Sequence, residues 1–83
     1  MDRNISQKIK KIIAKECGIQ VKDINNNTGF MSNSGLSYFD CVDTLYTLEH
    51  KFHVRLPESD YGKYNTVGNL KNKIIAQLKK RTK

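Results

Sequence analysis

Apolar residues recur at helical intervals in three parts of this chain and break off at glycine, asparagine or proline between them. Ile5, Ile9, Ile12 and Ile13 stand at i, i+4, i+7 and i+8. That single stripe predicts an amphipathic helix from about Asn4 to Cys17, closed by Gly18. Phe39, Val42, Leu45, Tyr46, Leu48 and Phe52 form a second set. They predict a helix that starts after Ser37, buries those six side chains, ends near Lys51 or Phe52 and cannot continue through Pro57. Val67, Leu70, Ile74 and Leu78 recur at i, i+3, i+7 and i+11 behind Thr66, a residue type that caps helices well. Between Pro57 and Thr66 only Tyr61 and Tyr64 offer large apolar surface and Gly62 interrupts them, so a short helix of about Ser59 to Lys63 is expected there.

The connection from Ile19 to about Leu36 has no such period. Its Asn25-Asn26-Asn27-Thr28-Gly29 run is made of turn and cap formers, and Val21, Ile24 and Phe30 are the side chains expected to anchor it to the core. With 83 residues the chain has room for one small core. The reading is all-α: one domain over residues 1–83, with 79–83 as a frayed basic tail whose charges suit the negative end of the last helix. Apolar runs fall short of a membrane span and the first residues lack a secretory pattern, so a soluble, cytoplasmic monomer is expected. Cys17 and Cys41 fit neither a metal nor a redox spacing and are read as buried or half-buried free thiols.

The most specific stretch runs from Asn27 to Pro57. Phe30 and Gly35 precede the second helix, Asp40, Val42, Leu48, Glu49 and Phe52 lie along it, and Leu56-Pro57 follows it. In that order and without a gap, the stretch resembles the acyl carrier protein family. The likeness extends from the Ile9/Ile12/Ile13 helix and Val21-Lys22-Asp23-Ile24 to Asn65-Thr66-Val67, nearly the whole chain. The resemblance implies a four-helix bundle with a long first loop and a short third helix. It also implies a carrier or interaction protein, not an autonomous enzyme. In the family the second helix opens Asp-Ser-Leu, and the serine hydroxyl bears a 4'-phosphopantetheine arm. Here those positions read Ser37-Tyr38-Phe39.

Attachment of that arm needs an aliphatic hydroxyl at a helix N-terminus, where N–H groups and the helix dipole favour the phosphodiester anion. The phenol of Tyr38 differs from serine in size, reach and acidity, which leaves Ser37 as the candidate attachment residue. Ser32 and Ser34 lie further into the loop. Ser37-Tyr38-Phe39-Asp40 also matches the [ST]-x-x-[DE] capping pattern, in which Ser37 would bond the Asp40 N–H and need no cofactor. Both readings stay open at this level. They correspond to two functions: a specialised acyl carrier of fatty-acid, lipid or polyketide synthesis, or a non-acylated module that keeps the carrier fold for protein–protein interaction.

Charge sharpens the picture. The chain carries a formal +7, whereas the resembled family is typically acidic. From Asp23 to His50 there is no lysine or arginine, only Asp23, Asp40, Asp43 and Glu49. Asp40, Asp43 and Glu49 fall where the family's second helix docks on basic patches of partner enzymes, and a phosphopantetheinyl transferase would be a further partner if the chain is modified. By the same resemblance Val42, Tyr46, Tyr61 and Tyr64 are candidates to line an acyl cavity, although aromatic residues also fill ordinary cores. The lysine-rich first and last helices lack interleaved aromatics and any nucleic-acid-binding motif, so nucleic acid is not an expected partner. His50 and His53 alone do not make a metal site. No nucleophile–histidine set or glycine-rich phosphate loop appears in the sequence.

Overall fold

The computed structural model describes residues 2–31 and 34–81, with side chains over 4–31 and 34–80. Three α-helices, α1 (Asp2–Cys17), α2 (Tyr38–Phe52) and α3 (Val67–Arg81), are joined by a long loop holding a 3-10 turn (Val21–Asp23) and by a 3-10 helix (Glu58–Lys63). This is the expected all-α, acyl-carrier-like bundle of four helices, with its short third member wound as 3-10.

The isoleucine stripe of α1 packs as its spacing requires. Ile9 and Ile13 are fully buried, and Ile5 and Ile12 are partly covered at the edge of the core. Gly18 stops the helix in the left-handed conformation (φ 71°), where the Ile19 N–H donates to the Ala14 carbonyl at 3.1 Å. The second helix needs a correction. Leu45 and Leu48 are buried, but Cys41 and Thr44 complete that face, while Phe39 is 77% exposed and Tyr46 58% exposed. Two apolar stripes coexist on α2: the 41/44/45/48 stripe is buried, Val42 and Phe52 are partly buried against the core as expected, and Phe39 and Tyr46 stand in solvent. Thr44 tolerates burial because its hydroxyl donates to the Asp40 carbonyl at 2.9 Å.

The long loop is held by backbone. Asn25 and Thr28 close a tight turn, with the Asn27 N–H on Asn25 Oδ1 and the Asn25 N–H on Thr28 Oγ1, both at 2.8 Å. Beyond that turn the loop runs antiparallel to the entry of α3, bridging Gly29 to Thr66. Phe30 N–H donates to the Asn65 carbonyl (2.8 Å), Val67 N–H to Thr28 (2.9 Å) and Gly68 N–H to Asn26 (3.0 Å). The Thr66 hydroxyl accepts from the Asn69 N–H at 3.1 Å, so the first donors of α3 are satisfied without solvent. Backbone and helix approach so closely that a Cβ on Gly68 would stand 2.8 Å from the Asn26 carbonyl oxygen.

Ile24 and Phe30 are the loop's core anchors, with Val21 only partly covered. Val67, Leu70 and Ile74 of α3 are fully buried and Leu78 lies at the margin. The last helix extends through Lys79, Lys80 and Arg81, into the basic tail. Its lysine-rich end is the one the helix dipole favours, and residues 82 and 83 lie outside the described residues.

Candidate functional site

The start of α2 collects most of the residues that the sequence singled out. Gly35 turns the chain at φ 75°, and Ser37 follows in extended conformation as the N-cap of α2. Its Oγ accepts the Asp40 N–H at 3.1 Å, the contact that the capping pattern predicts. That bond uses a lone pair of the oxygen. The hydroxyl proton is not consumed by it, and the residue is exposed.

The other serines differ in placement. Ser34 Oγ donates to the Met31 carbonyl at 2.7 Å and accepts the Leu36 N–H at 3.0 Å, so it is committed to the turn. Ser32 lies outside the described residues. Tyr38, the first residue of α2, is 52% exposed. Its phenol donates to Glu58 Oε2 at 3.5 Å, and its ring meets Phe39 edge-on with centroids 6.0 Å apart. Lost hydration first, then the charge and hydrogen bond of Glu58, raise the Tyr38 phenol above its ordinary range.

Among the docking candidates Asp40 and Asp43 are exposed near the positive end of α2. Glu49 serves a different purpose. Its Oε2 accepts the Leu56 N–H at 2.6 Å, so it fastens the chain that returns from α2 toward the 3-10 helix. Sequence spacing could not show this, because the bond depends on the fold-back after His53, whose left-handed backbone (φ 55°) ends the helix.

Two recesses open beside this helix start. One, about 420 Å³, is lined by Met31, Leu36, Tyr38, Tyr61, Gly62 and Asn65. The other, about 460 Å³, brings together Val42, Tyr46 and Tyr61 of the cavity candidates with Tyr38, Phe39 and Leu56. Tyr64 does not join them. It is 2% exposed and packs in the core, 6.3 Å from the Tyr61 ring, and borders a polar recess with Asp60, Asn69 and Lys73 instead. Its Oη is buried with no hydrogen-bond partner, and burial pushes its phenol up to about 12. Met31, Leu36 and Glu58 are site residues that sequence reasoning missed. The one available signal was that Leu36 and Tyr38 are the chain neighbours of Ser37.

The thiols are structural in placement. Cys41 is fully buried, with its sulfur 3.5 Å from Ser34 Oγ. Cys17 is half-buried, 3.6 Å from Thr44 Oγ1, and burial raises its thiol above the ordinary value.

The family described as phosphopantetheine attachment site matches residues 7–74. The chain belongs to that family. The match takes in α1 from residue 7, the long loop, all of α2, the 3-10 helix and the first half of α3, in agreement with the fold just described. This family is the one whose domains are attachment sites for 4'-phosphopantetheine. Here the chemistry of the candidate residues decides which of them suits such a group. Ser37 offers an exposed aliphatic hydroxyl at a helix N-terminus and fits. Tyr38 offers a hydrogen-bonded phenol and does not.

Proposed function

We propose that this protein is an acyl carrier whose 4'-phosphopantetheine is borne by Ser37, serving enzymes of fatty-acid, lipid or polyketide synthesis. The observation that carries this reading is the placement of Ser37. It is exposed, its proton is free for replacement, and it caps the helix whose dipole and N–H groups favour a phosphodiester. When bound, the group supplies a thiol on a flexible arm, to which acyl groups are joined as thioesters. The chain's own residues do the rest. Gly35 and the Ser34 turn present Ser37, Asp40 and Asp43 offer carboxylates to a partner with a basic patch, and Glu49 fixes the 3-10 helix that walls the recesses.

A second reading has its own observation. Ser37 already works as a cap, and Tyr38 stands at the first position of α2 where the family places its serine. A chain that used this fold only to dock on partners would look the same. Intact-mass measurement after incubation with coenzyme A and a broad-specificity phosphopantetheinyl transferase separates the two. The carrier reading expects one added phosphopantetheine, mapped by peptide analysis to Ser37 and lost in Ser37→Asp, a variant that keeps a good N-cap. No added mass, or addition that persists in Ser37→Asp, overturns the Ser37 assignment. The first of these outcomes favours the docking module.

A further inference from the structure

We propose that the face shared by the 3-10 helix and α3 is a binding site for a compact oxyanion with two charged groups, of the diphosphate class. The proposal is independent of the carrier reading, since none of its residues belongs to the α2 start.

Two recesses on this face have Asp60 and Lys73 in common. One, about 340 Å³, adds Lys63, Asn69 and Asn72, and the other, about 410 Å³, adds Arg55, Gln77 and Lys80. The ammonium groups of Lys63 and Lys73 stand 3.6 Å from the two different oxygens of Asp60. Held on one carboxylate, they lie within one Debye length of each other at 0.1 M salt, about 10 Å. An anion that settles beside Asp60 is therefore attracted by both. The two asparagines bring amide N–H donors of the kind an oxyanion accepts, and Arg55 brings a planar guanidinium that can meet phosphate oxygens in pairs.

The backbone around these cations is braced. The Arg55 N–H donates to Gln77 Oε1 at 2.9 Å and the Arg55 carbonyl accepts from Gln77 Nε2, so α3 clasps the returning chain at this residue. Asp60 ties the 3-10 helix to the same helix through Lys73. Ion pairing within the fold accounts for Lys63 and Lys73 only. Among the described residues Arg55 and Lys80 have no ion-pair partner. The acids nearest in sequence are engaged elsewhere, Glu49 by the Leu56 N–H and Glu58 by the Tyr38 hydroxyl. Four cations thus line the two recesses against one carboxylate. Tyr64, the one aromatic residue lining them, is 2% exposed. A nucleobase has no platform on which to stack, which leaves recognition to the phosphate oxygens. Charges gathered around recesses suit a compact anion better than the flat surface of a membrane.

The test titrates the unmodified protein with inorganic pyrophosphate, inorganic phosphate and ADP, followed by amide NMR shifts at low and at physiological ionic strength. The expected result is saturable pyrophosphate binding with shifts centred on Asp60, Lys63, Lys73 and Gln77, about tenfold tighter than phosphate and weaker as salt rises. Arg55→Gln/Lys80→Gln, which breaks no ion pair among the described residues, should weaken pyrophosphate binding about tenfold. Lys8→Gln/Lys11→Gln, which removes the same charge from exposed positions of α1, should change it less than about twofold. ADP identifies the source of the diphosphate: affinity equal to that of pyrophosphate supports an ester as the ligand, and much weaker binding supports the free anion. Equal losses in the two double variants overturn the proposal, as do shifts spread over α1 or phosphate bound as tightly as pyrophosphate.

Discussion

The entries of α3 and α2 are two helix N-termini built to opposite ends. At α3 the donors of Val67, Gly68 and Asn69 go to Thr28, Asn26 and Thr66, and Val67 and Gly68 are buried. At α2 a side-chain cap, Ser37 on the Asp40 N–H, stands beside three exposed residues, Tyr38, Phe39 and Asp40. The first arrangement uses the helix end to fasten a long loop to the core. The second leaves the dipole, a hydroxyl and an aromatic surface available to something outside the chain. Within one bundle, a helix start can therefore be committed to stability or kept for chemistry, according to whether another segment of backbone reaches it.

The largest expected effect lies at the committed end. Gly68→Ala should destabilise the protein by about 1–3 kcal/mol in chemical denaturation, since the new methyl must displace the Asn26 carbonyl or its own helix. A neutral result would mean that the loop yields easily and that the two N-termini are not so different. At the open end, Ser37→Ala should cost about 1 kcal/mol, the loss of one N-cap, whereas Ser37→Asp should stay within about 0.5 kcal/mol of the parent. Equal losses in both variants would show that the Oγ–Asp40 contact does not support the helix.

Tyr64, which leads into the α3 entry, gives a pH-dependent test. Its folded phenol, raised to about 12 by burial, lies above the ordinary value near 10 of the unfolded chain. Its contribution is therefore complete below pH 10. Between pH 10 and 12 the unfolded chain gives up the proton first, and stability falls by about 1.4 kcal/mol per pH unit. Tyr64→Phe should remove this part of the alkaline decline. At neutral pH it should be neutral or raise stability by about 1 kcal/mol, because the buried hydroxyl has no partner. Destabilisation by Tyr64→Phe at neutral pH would reveal a hydrogen bond that the packing conceals.

The smallest effect on folding is expected at the docking residues. Reversing charge at Asp40 and Asp43 should change stability by no more than about 1 kcal/mol, yet weaken association with a basic partner in a manner that fades as salt rises. Reversal at Lys10 and Lys11 should leave that association intact. If the lysine pair proves the more damaging, α1 and not α2 is the working surface.

The helices were legible because their causes are local. Isoleucine spacing, Gly18, the Ser37 cap, Pro57 and Thr66 act within a turn or two of their own positions, and the residues that match the carrier family make Ser37 and Tyr38 the candidates without coordinates. Which stripe of α2 is buried was not legible. Phe39/Val42/Tyr46 and Cys41/Leu45/Leu48 are both helical stripes; the remainder of the bundle buries the second and, of the first, reaches only Val42. The same holds for Glu49, whose carboxylate meets an N–H seven residues away through a fold-back, and for Gly68, whose need for a bare Cα comes from a loop more than forty residues earlier. Sequence by itself determined the elements, the family and the two hydroxyls in question. Tertiary structure alone decided which aromatics stand in water, which carboxylates remain free for a partner and which residues line the recess beside Ser37, since each depends on contacts between segments distant along the chain.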